Sequence, residues 1–548
     1  MFRAQGIAWY GLLVTSICGL SLCSGAAEPT RILHDQVQAT SQGSSQTTTD
    51  GSPELRRAKT LFARHCAQCH GEPGDGKGIA ALFLYPKPRN FQEGKFKLVT
   101  TANRIPTDED LLHVITRGMP GSAMLPFGHL PEADRKGLVN YVRLLTRAGI
   151  EQRLKKAYEE SGDEVDPKQL QREALRQTTP GDLVPLPSNM PAEDEASVKR
   201  GRALYMTSCA QCHGETGRGE GGKDQRDDDG TPTKPRDFTQ GIFKGSRDVA
   251  ALYRRTVIGM PGTPMPATTH LKPADLGDVA HYIRSLAPTE AQAKVEHKRQ
   301  QLVARRVAKI DDAAWREASE SFIVTSPLWW REVINPELKV KVLHDGQQLA
   351  LRLAWKDTSR SDLVVRPEDF EDQASVQIYQ GVEEPFIGMG AHGFGVVDLW
   401  LWKASQGQDQ TAQRHQLDGY PFDSKFYLDY LKTLPAGQRV LPNFYTAQVT
   451  GNQNSATGPA AGNSSLEAAG PGTTTFRRQG SQVVSAKGMY QDGGWSVVLT
   501  RPLVVKPEAG VSLASGQRCF IAFALWDGAA RDRNGQKQIS IWHVLTVE

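Results

Sequence analysis

Cysteine is scarce here, with seven residues in 548. Once the uses argued below are subtracted, four spare thiols for an iron–sulfur cluster do not exist. Beyond the N-terminus no run approaches the roughly 20 apolar residues of a spanning helix, so no later membrane segment is expected. A formal charge of only +4, with both signs interspersed, leaves no long basic stripe with interleaved aromatics. A nucleic-acid partner is therefore set aside. The chain is too long for one compact core, and its length suggests three or four domains.

The chain opens on "MFRAQGIAWYGLLVTSICGLSLCSGAAEP". Arg3, an apolar run from Ile7 to Cys23 and small residues from Ser24 to Ala27 have the layout of an export signal over residues 1–27, cleaved near Ala26 or Ala27. The alternative is an uncleaved anchor, against which the short run and its polar breaks count. The mature chain is expected in the periplasm, with no transmembrane span. Residues 28–54 are polar, rich in Ser, Thr and Gln, and read as a disordered tether.

An internal repeat follows. "RAKTLFARHCAQCHGEPGDGKG" (57–78) is answered by "RGRALYMTSCAQCHGETGRGEG" (200–221), "KPRNF" (87–91) by "KPRDF" (234–238), and "RGMPGSAML" (117–125) by "IGMPGTPMP" (258–266). Each unit closes on apolar residues at i, i+3, i+4 and i+7: Leu138, Tyr141, Val142, Leu145 and Val279, Tyr282, Ile283, Leu286. These are two copies of one small helical domain.

Each copy carries Cys-x-x-Cys-His. The spacing sets two thiols one helical turn apart, so that both can add to the vinyl groups of a haem while the next residue faces the iron. Cys66, Cys69 and His70 would hold one haem, Cys209, Cys212 and His213 another. A zinc half-site and a thioredoxin-type redox pair are the rival readings; the first needs more ligands at matching spacing, the second a βαβ context that is absent. Both copies resemble class I cytochrome c domains, over residues 55–148 and 197–288. That resemblance implies a sixth ligand in the loop before the last helix, favouring Met124 and Met265 over Met119 and Met260. His129 and His270 are rival ligands, read more simply as surface residues. Arg89 and Arg236 sit either near haem propionates or in a plain turn.

Between the copies, residues 149–196 read as a linker with a short helix, and 289–311 as a charged connecting helix. From 312 the texture alternates, as in "ELKVKVLHDGQQLALRLAWKD" and "QRCFIAFALWDG", with Asp-Gly and Gly-Gly turns. This reads as a β-sandwich over 312–548, broken by a disordered insertion at 451–475. The fold class is thus multidomain: two all-α cytochrome c domains followed by an all-β sandwich. Trp400, Trp402, Trp526 and Trp542 read as core or pocket walls, and Cys519 as a buried strand residue.

The segments "LHDGQQLALRLAWKD", "PFIGMGAHGFGVVDLWLWKA", "WSVVLTRPL" and "FALWDGAARDRNGQKQISIWHVL" resemble the haem-b-binding gamma subunits of ethylbenzene dehydrogenase and its relatives in the type II DMSO reductase family, among them dimethylsulfide dehydrogenase, selenate and chlorate reductases and nitrite oxidoreductase. The resemblance implies one noncovalent haem b in the sandwich, with Met389 and Lys537 as axial ligands. An amine binds iron only when deprotonated, so Lys537 must be buried. It further implies an electron-transfer subunit rather than a catalytic chain, with two haem c and one haem b. Its partners would be iron–sulfur and molybdenum catalytic subunits on one side and a downstream cytochrome or membrane oxidase on the other. A di-haem cytochrome carrying a haem-free binding sandwich, and a stand-alone haem oxidoreductase, are the alternatives.

Overall fold

The structure is a computed structural model that describes residues 52–548 except 223, 294, 332–333, 335–336, 363, 365–367, 392 and 406–463. The expected export signal, residues 28–51 of the tether and residues 451–463 of the expected insertion lie outside the described residues.

In the first repeat, α1 (Pro53–His65) starts where the Ser52 hydroxyl accepts from Leu55 N, and ends at the first thiol of the CxxCH motif. The one-turn α2 (Ala67–His70) carries the rest of that motif. Helix α3 (Asp108–Arg117) is opened by a reciprocal cap in which Thr107 Oγ1 accepts from Asp110 N while Asp110 accepts from Thr107 N. Helix α4 (Glu132–Ser161) packs Leu138 and Val142 towards α1 residues Leu61 and Phe62. It runs well past the expected domain boundary at residue 148, and α5 (Pro167–Arg176) folds back on it through Leu170 and Ala174, so much of the expected linker is helical.

The second repeat has the same plan in α6 (Glu195–Ser208), α7 (Ala210–His213), the two-residue ribbon of β1 (Gln225–Arg226) and β2 (Pro232–Thr233), α8 (Val249–Ile258) and α9 (Pro273–Ser285). Both repeats cross their first and last helices at a residue without a side chain, taken from opposite partners. In the first it is Gly137 of α4, where a Cβ would come 3.4 Å from that of Ala58. In the second it is Gly201 of α6, where a Cβ would lie 2.0 Å from the Asp278 carbonyl oxygen.

Helix α10 (Thr289–Ala293) is all that forms of the expected connecting helix among the described residues. It gives way to β3 (Gln301–Arg306), a strand parallel to two others. The reason is its period: Leu302 and Ala304 are buried while Gln301, Val303 and Arg305 are exposed, a two-residue alternation that a strand satisfies and a helix does not. After α11 (Asp312–Glu317) come β4 (Ser321–Val324), β5 (Ser326–Pro327), β6 (Glu337–His344), β7 (Gln348–Lys356), β8 (Gln373–Tyr379), β9 (Val397–Lys403), β10 (Ser465–Ala468), β11 (Thr475–Phe476), β12 (Ser485–Gln491), β13 (Gly494–Pro502), β14 (Arg518–Trp526), β15 (Gln538–Ile539) and β16 (His543–Val547). They pair in the order β11-β10-β9-β8-β14-β16-β3-β6-β7-β13-β12, so β3 joins two halves. The halves share one core, with Leu351, Leu353 and Val497 from one facing Val376, Trp400 and Phe523 from the other. This is the sandwich expected from sequence, begun earlier by β3.

Strand β10 corrects the expected disorder over the described part of the insertion, residues 464–475. Leu466 and Ala468 are buried and pair with β9, Leu466 opposite Leu399, giving an otherwise polar stretch an apolar anchor. Among the described residues no helix is long and apolar enough to cross a membrane.

Candidate functional site

The first CxxCH motif is built by a break in α1. Cys66 N still donates to Phe62 O, and Cys69 N and His70 N both donate back to Cys66 O, which winds the two thiols and the imidazole into a single turn. His70 is oriented twice over: its ring stacks on Phe91 at 4.4 Å between centroids, and Nδ1 lies 2.9 Å from the Arg89 carbonyl. A carbonyl can only accept, so Nδ1 carries the proton and Nε2 keeps its lone pair for a metal. Burial pulls His70 down to about 4 and pushes Cys66 and Cys69 up to about 12, so the imidazole is neutral and both thiols are protonated. Among the described residues neither motif belongs to a cluster of three or more His, Cys, Asp or Glu donors close enough to share an ion.

In the second repeat His213 stacks on Phe238 at 4.7 Å and is likewise pulled down to about 4 by burial. Its Nδ1 lies close enough to the Arg236 carbonyl to feel it, but outside ordinary hydrogen-bond geometry. The methionine loops match as well. Met119 N donates to Met124 O at 2.8 Å and Met260 N to Met265 O at 3.1 Å, with Gly118, Gly121, Gly259 and Gly262 all at positive φ. Both Met119 and Met124 line the cavity above the first CxxCH motif.

The two KPR arginines are neither plain turn residues nor confined to their own repeats. Arg236 Nη1 donates to Gly121 O in the first repeat's methionine loop, and Arg89 lies against Gly262 in the second's. A Cβ on Gly121 would meet the Arg236 guanidinium at 2.5 Å, and one on Gly262 the Arg89 guanidinium at 2.6 Å. The exchange is reciprocal, as in a two-fold interface.

In the sandwich, strand alternation makes a second site. Ala374, Val376, Ile378, Trp400, Trp402, Ile521 and Phe523 face the core, whereas Gln373, Ser375, Gln377, Leu399, Leu401, Ala522 and Ala524 turn outward. The site therefore lies on the outer face of one half rather than between the halves. The loop 385–390 covers it and carries Met389 at φ +71°. That conformation costs a side-chain-bearing residue about 1–3 kcal/mol and is held by three backbone bonds: Met389 N to Ile387 O, Gly390 N to Phe386 O, and Gly470 N to Met389 O.

The loop aims the Met389 sulfur at Lys537 Nζ, 3.8 Å away. Metal bonds to nitrogen and sulfur of about 2.1 and 2.3 Å span about 4.4 Å end to end, so the pair is close to the spacing at which it would flank one ion. Lys537 is 7% exposed, lies over the Trp526 ring, and is lowered to about 8 by burial, the condition an amine ligand must meet. The residues fit a metal–porphyrin centre here.

The two sites are one space. A cavity of about 690 Å³ is lined at one side by Cys66, Cys69 and His70 and at the other by Met389 and Lys537. Cys69 and Ile387 pack against the same apolar clusters at this seam, in which Leu84 and Leu125 of the first repeat meet Leu328 and Ile539 of the sandwich. His129 is not a surface residue but pairs with Glu384 across this seam, while His270 stays exposed beside Ser208. Sequence reading missed Glu384 and the lysines Lys97 and Lys244 on the cavity wall; the "FK" shared by both repeats after KPR was the available signal. Trp400 and Trp402 are core, Trp526 is a cavity wall, and Cys519 is buried in β14.

Known proteins share these features. Residues 314–538 match the family model described as Ethylbenzene dehydrogenase, and residues 55–146 and 198–287 match Cytochrome c. A protein named as a respiratory nitrate reductase heme subunit of Haloferax mediterranei is 25% identical over 207 residues, 38% of this chain and 54% of the relative. The chlorate reductase subunit gamma of Ideonella dechloratans is 23% identical over 205 residues, 37% of this chain and 62% of that one. The dimethylsulfide dehydrogenase subunit gamma of Rhodovulum sulfidophilum is 24% identical over 216 residues, 38% and 60%. The chain thus spans between 54% and 62% of the length of these relatives.

Proposed function

We propose, from the match of its two N-terminal repeats to cytochrome c and of its sandwich to the ethylbenzene dehydrogenase family model, that this chain is a three-haem electron-transfer subunit of an extracytoplasmic molybdenum oxidoreductase. Two haems c are held by Cys66, Cys69 and His70 and by Cys209, Cys212 and His213, with Met124 and Met265 as sixth ligands. One haem b is held by Met389 and Lys537. The catalytic chemistry belongs to partner chains, of nitrite oxidoreductase or a related type, and an iron–sulfur subunit exchanges electrons with the sandwich. A cytochrome or membrane oxidase lies beyond the second repeat. The export signal over residues 1–27 is cleaved and the chain works in the periplasm.

The observation that carries this reading is the shared cavity, which joins the sandwich site to the first CxxCH motif and not to the second. When bound, iron porphyrins supply one-electron carriers with no need for substrate to coordinate. The chain's own residues do the rest. His70 Nε2 is presented unprotonated, Lys537 is held short of full charge by burial, and Ile387, Leu84, Leu125 and Ile539 keep water from the seam. The order supported is sandwich, first repeat, second repeat.

Haem content tests it. Acidified solvent should extract one haem per chain and leave two covalently attached, read as pyridine haemochromes. Two covalent haems with nothing extractable would leave the sandwich a haem-free binding module.

A further inference from the structure

Lys244 stands half-buried where the two repeats meet, enclosed by protein on the wall of the first repeat's cavity although it belongs to the second. The charged groups acting on it are Lys97, Arg236 and Arg255, all cations, and a single carboxylate, Asp227. That carboxylate is already engaged: Asp227 pairs with Lys97 at 2.8 Å, both side chains 9% exposed. Among the described residues no ion-pair partner reaches Lys244, and burial with its cationic neighbours pulls it well below the usual lysine range. Arg236 and Arg255 are each lowered to about 10 by burial.

The asymmetry has a cause in the sequence. Lys97 and Lys244 hold equivalent places in "GKFK" and "GIFK". The second repeat's preceding loop is acidic, "KDQRDDDG", and reaches Lys95 and Lys97 of the first through Asp228 and Asp227. The first repeat's corresponding segment is apolar, "IAALFLYP", and is spent on the sandwich, Ala80 against Phe386 and Leu84 against Leu328. No carboxylate is left over for Lys244. Cations enclosed away from bulk water are met by anions or neutralised, so a surplus on a cavity wall calls for an anion in that cavity.

We propose that Lys244, backed by Arg236 and Arg255, is a clamp contributed in trans by the second repeat for the carboxylates of the first repeat's haem. The inference rests on the proposed function, in which that cavity holds a covalent haem. The cavity's walls suit it: the thiol Cys69 packs on the sandwich side, whereas Lys97 and Lys244 stand on the side of the second repeat. A porphyrin tethered through its vinyl carbons directs its two propionates away from the thiols. The clamp therefore ties the first haem to the second domain, and its positive charge favours the reduced state of that haem.

Spectroelectrochemical titration of the full-length protein tests this. Lys244→Gln should lower the reduced-to-oxidised ratio of one c haem by about tenfold at fixed potential, leave the other c haem in place, and be rescued by Lys244→Arg. The haem that moves should be the one retained in a Cys209→Ala/Cys212→Ala variant. If both c haems keep their potentials in Lys244→Gln, or only the second moves, the clamp is overturned. Haem counts on the wild type separate the two failures: three haems with unmoved potentials sink the clamp alone, whereas fewer than two covalent haems sink the proposed function.

Discussion

Lys537 Nζ and Met389 Sδ face each other at 3.8 Å across a lining of Gln377, Leu399 and Ala524, with the Thr474 hydroxyl donating to the same sulfur. A thioether and an amine gain little from each other at that distance. On the proposed function, a lysine buried against a methionine in the left-handed region is a pair of ligands preset for one ion. Met389→Ala and Lys537→Ala should each weaken uptake of the extractable haem by more than tenfold. The covalent c-type bands should be unchanged. Haem titration of extracted protein, followed by visible spectra, measures both.

The two glycines at the helix crossings should behave oppositely. At Gly201 an added Cβ would meet backbone, the Asp278 carbonyl oxygen at 2.0 Å, so α6 and α9 must part. Gly201→Ala should cost about 1–3 kcal/mol. Gly137→Ala places its Cβ at 3.4 Å from Ala58 Cβ, a contact that yields by a few tenths of an ångström. Alanine's helix propensity, about 1 kcal/mol better than glycine's, should offset it. Thermal unfolding of the two variants should show loss at Gly201→Ala and little change at Gly137→Ala.

The motifs that were legible in sequence are those in which chemistry dictates local spacing. CAQCH needs one helical turn, and the twofold repetition of CAQCHGE, KPR and GMPG exposed both helical domains, whose His–Phe stacks and methionine loops recur in each. Strand β3 was misread because "QLVARR" follows a run of charged residues and carries its period over only six residues. Strand β10 was hidden for a like reason: four residues with two buried apolar positions sit in a Gly- and Ser-rich stretch. The Met389–Lys537 pair is separated by 148 residues and meets only through the order of β8, β9 and β14, which no local pattern encodes. Resemblance supplied it. The arginine exchange between repeats is likewise tertiary, and the sequence offered only that both arginines follow Lys-Pro.

Three carboxylates, Asp357, Asp372 and Asp527, crowd within 4.8 Å of one another in the sandwich. Burial, then the charge of Asp357, pushes Asp372 up to about 7, although Trp495 Nε1, Gly528 N and Ser361 N all donate to it. A carboxyl raised in the folded state binds a proton there that the unfolded chain has released between about pH 4 and 7. Folding free energy should therefore weaken as pH rises through that window, by about 4 kcal/mol in all. Asp357→Asn should flatten the slope. Denaturant titrations at a series of pH values, followed by tryptophan fluorescence, would show an unchanged slope in that variant if the repulsion were not a cause.

Glu384 holds the seam between the first repeat and the sandwich. Its two oxygens take His129 and Arg299, and those contacts outweigh burial and hold the carboxyl below its usual range. A depressed carboxyl adds stability that is present above the unfolded value of about 4.3 and is lost as pH falls through the folded one. The contribution of the Glu384 carboxylate to the seam should therefore be lost as pH falls below about 4. Glu384→Gln should loosen it at neutral pH by about 2–3 kcal/mol, because it strips Arg299 of its charged partner in a partly buried place. Hydrogen exchange should then accelerate in α2 and the 385–390 loop while the α6–α9 crossing keeps its protection. On the proposed function, electron transfer between the extractable and covalent haems should slow in the same variant with all haems retained, because the apolar cluster of Ala80, Phe386 and Ala391, on which Cys69 and Ile387 both pack, lies at this seam. Unchanged exchange at the seam would mean that the apolar contacts of Leu84, Leu125, Leu328 and Ile539 hold the two domains together without it.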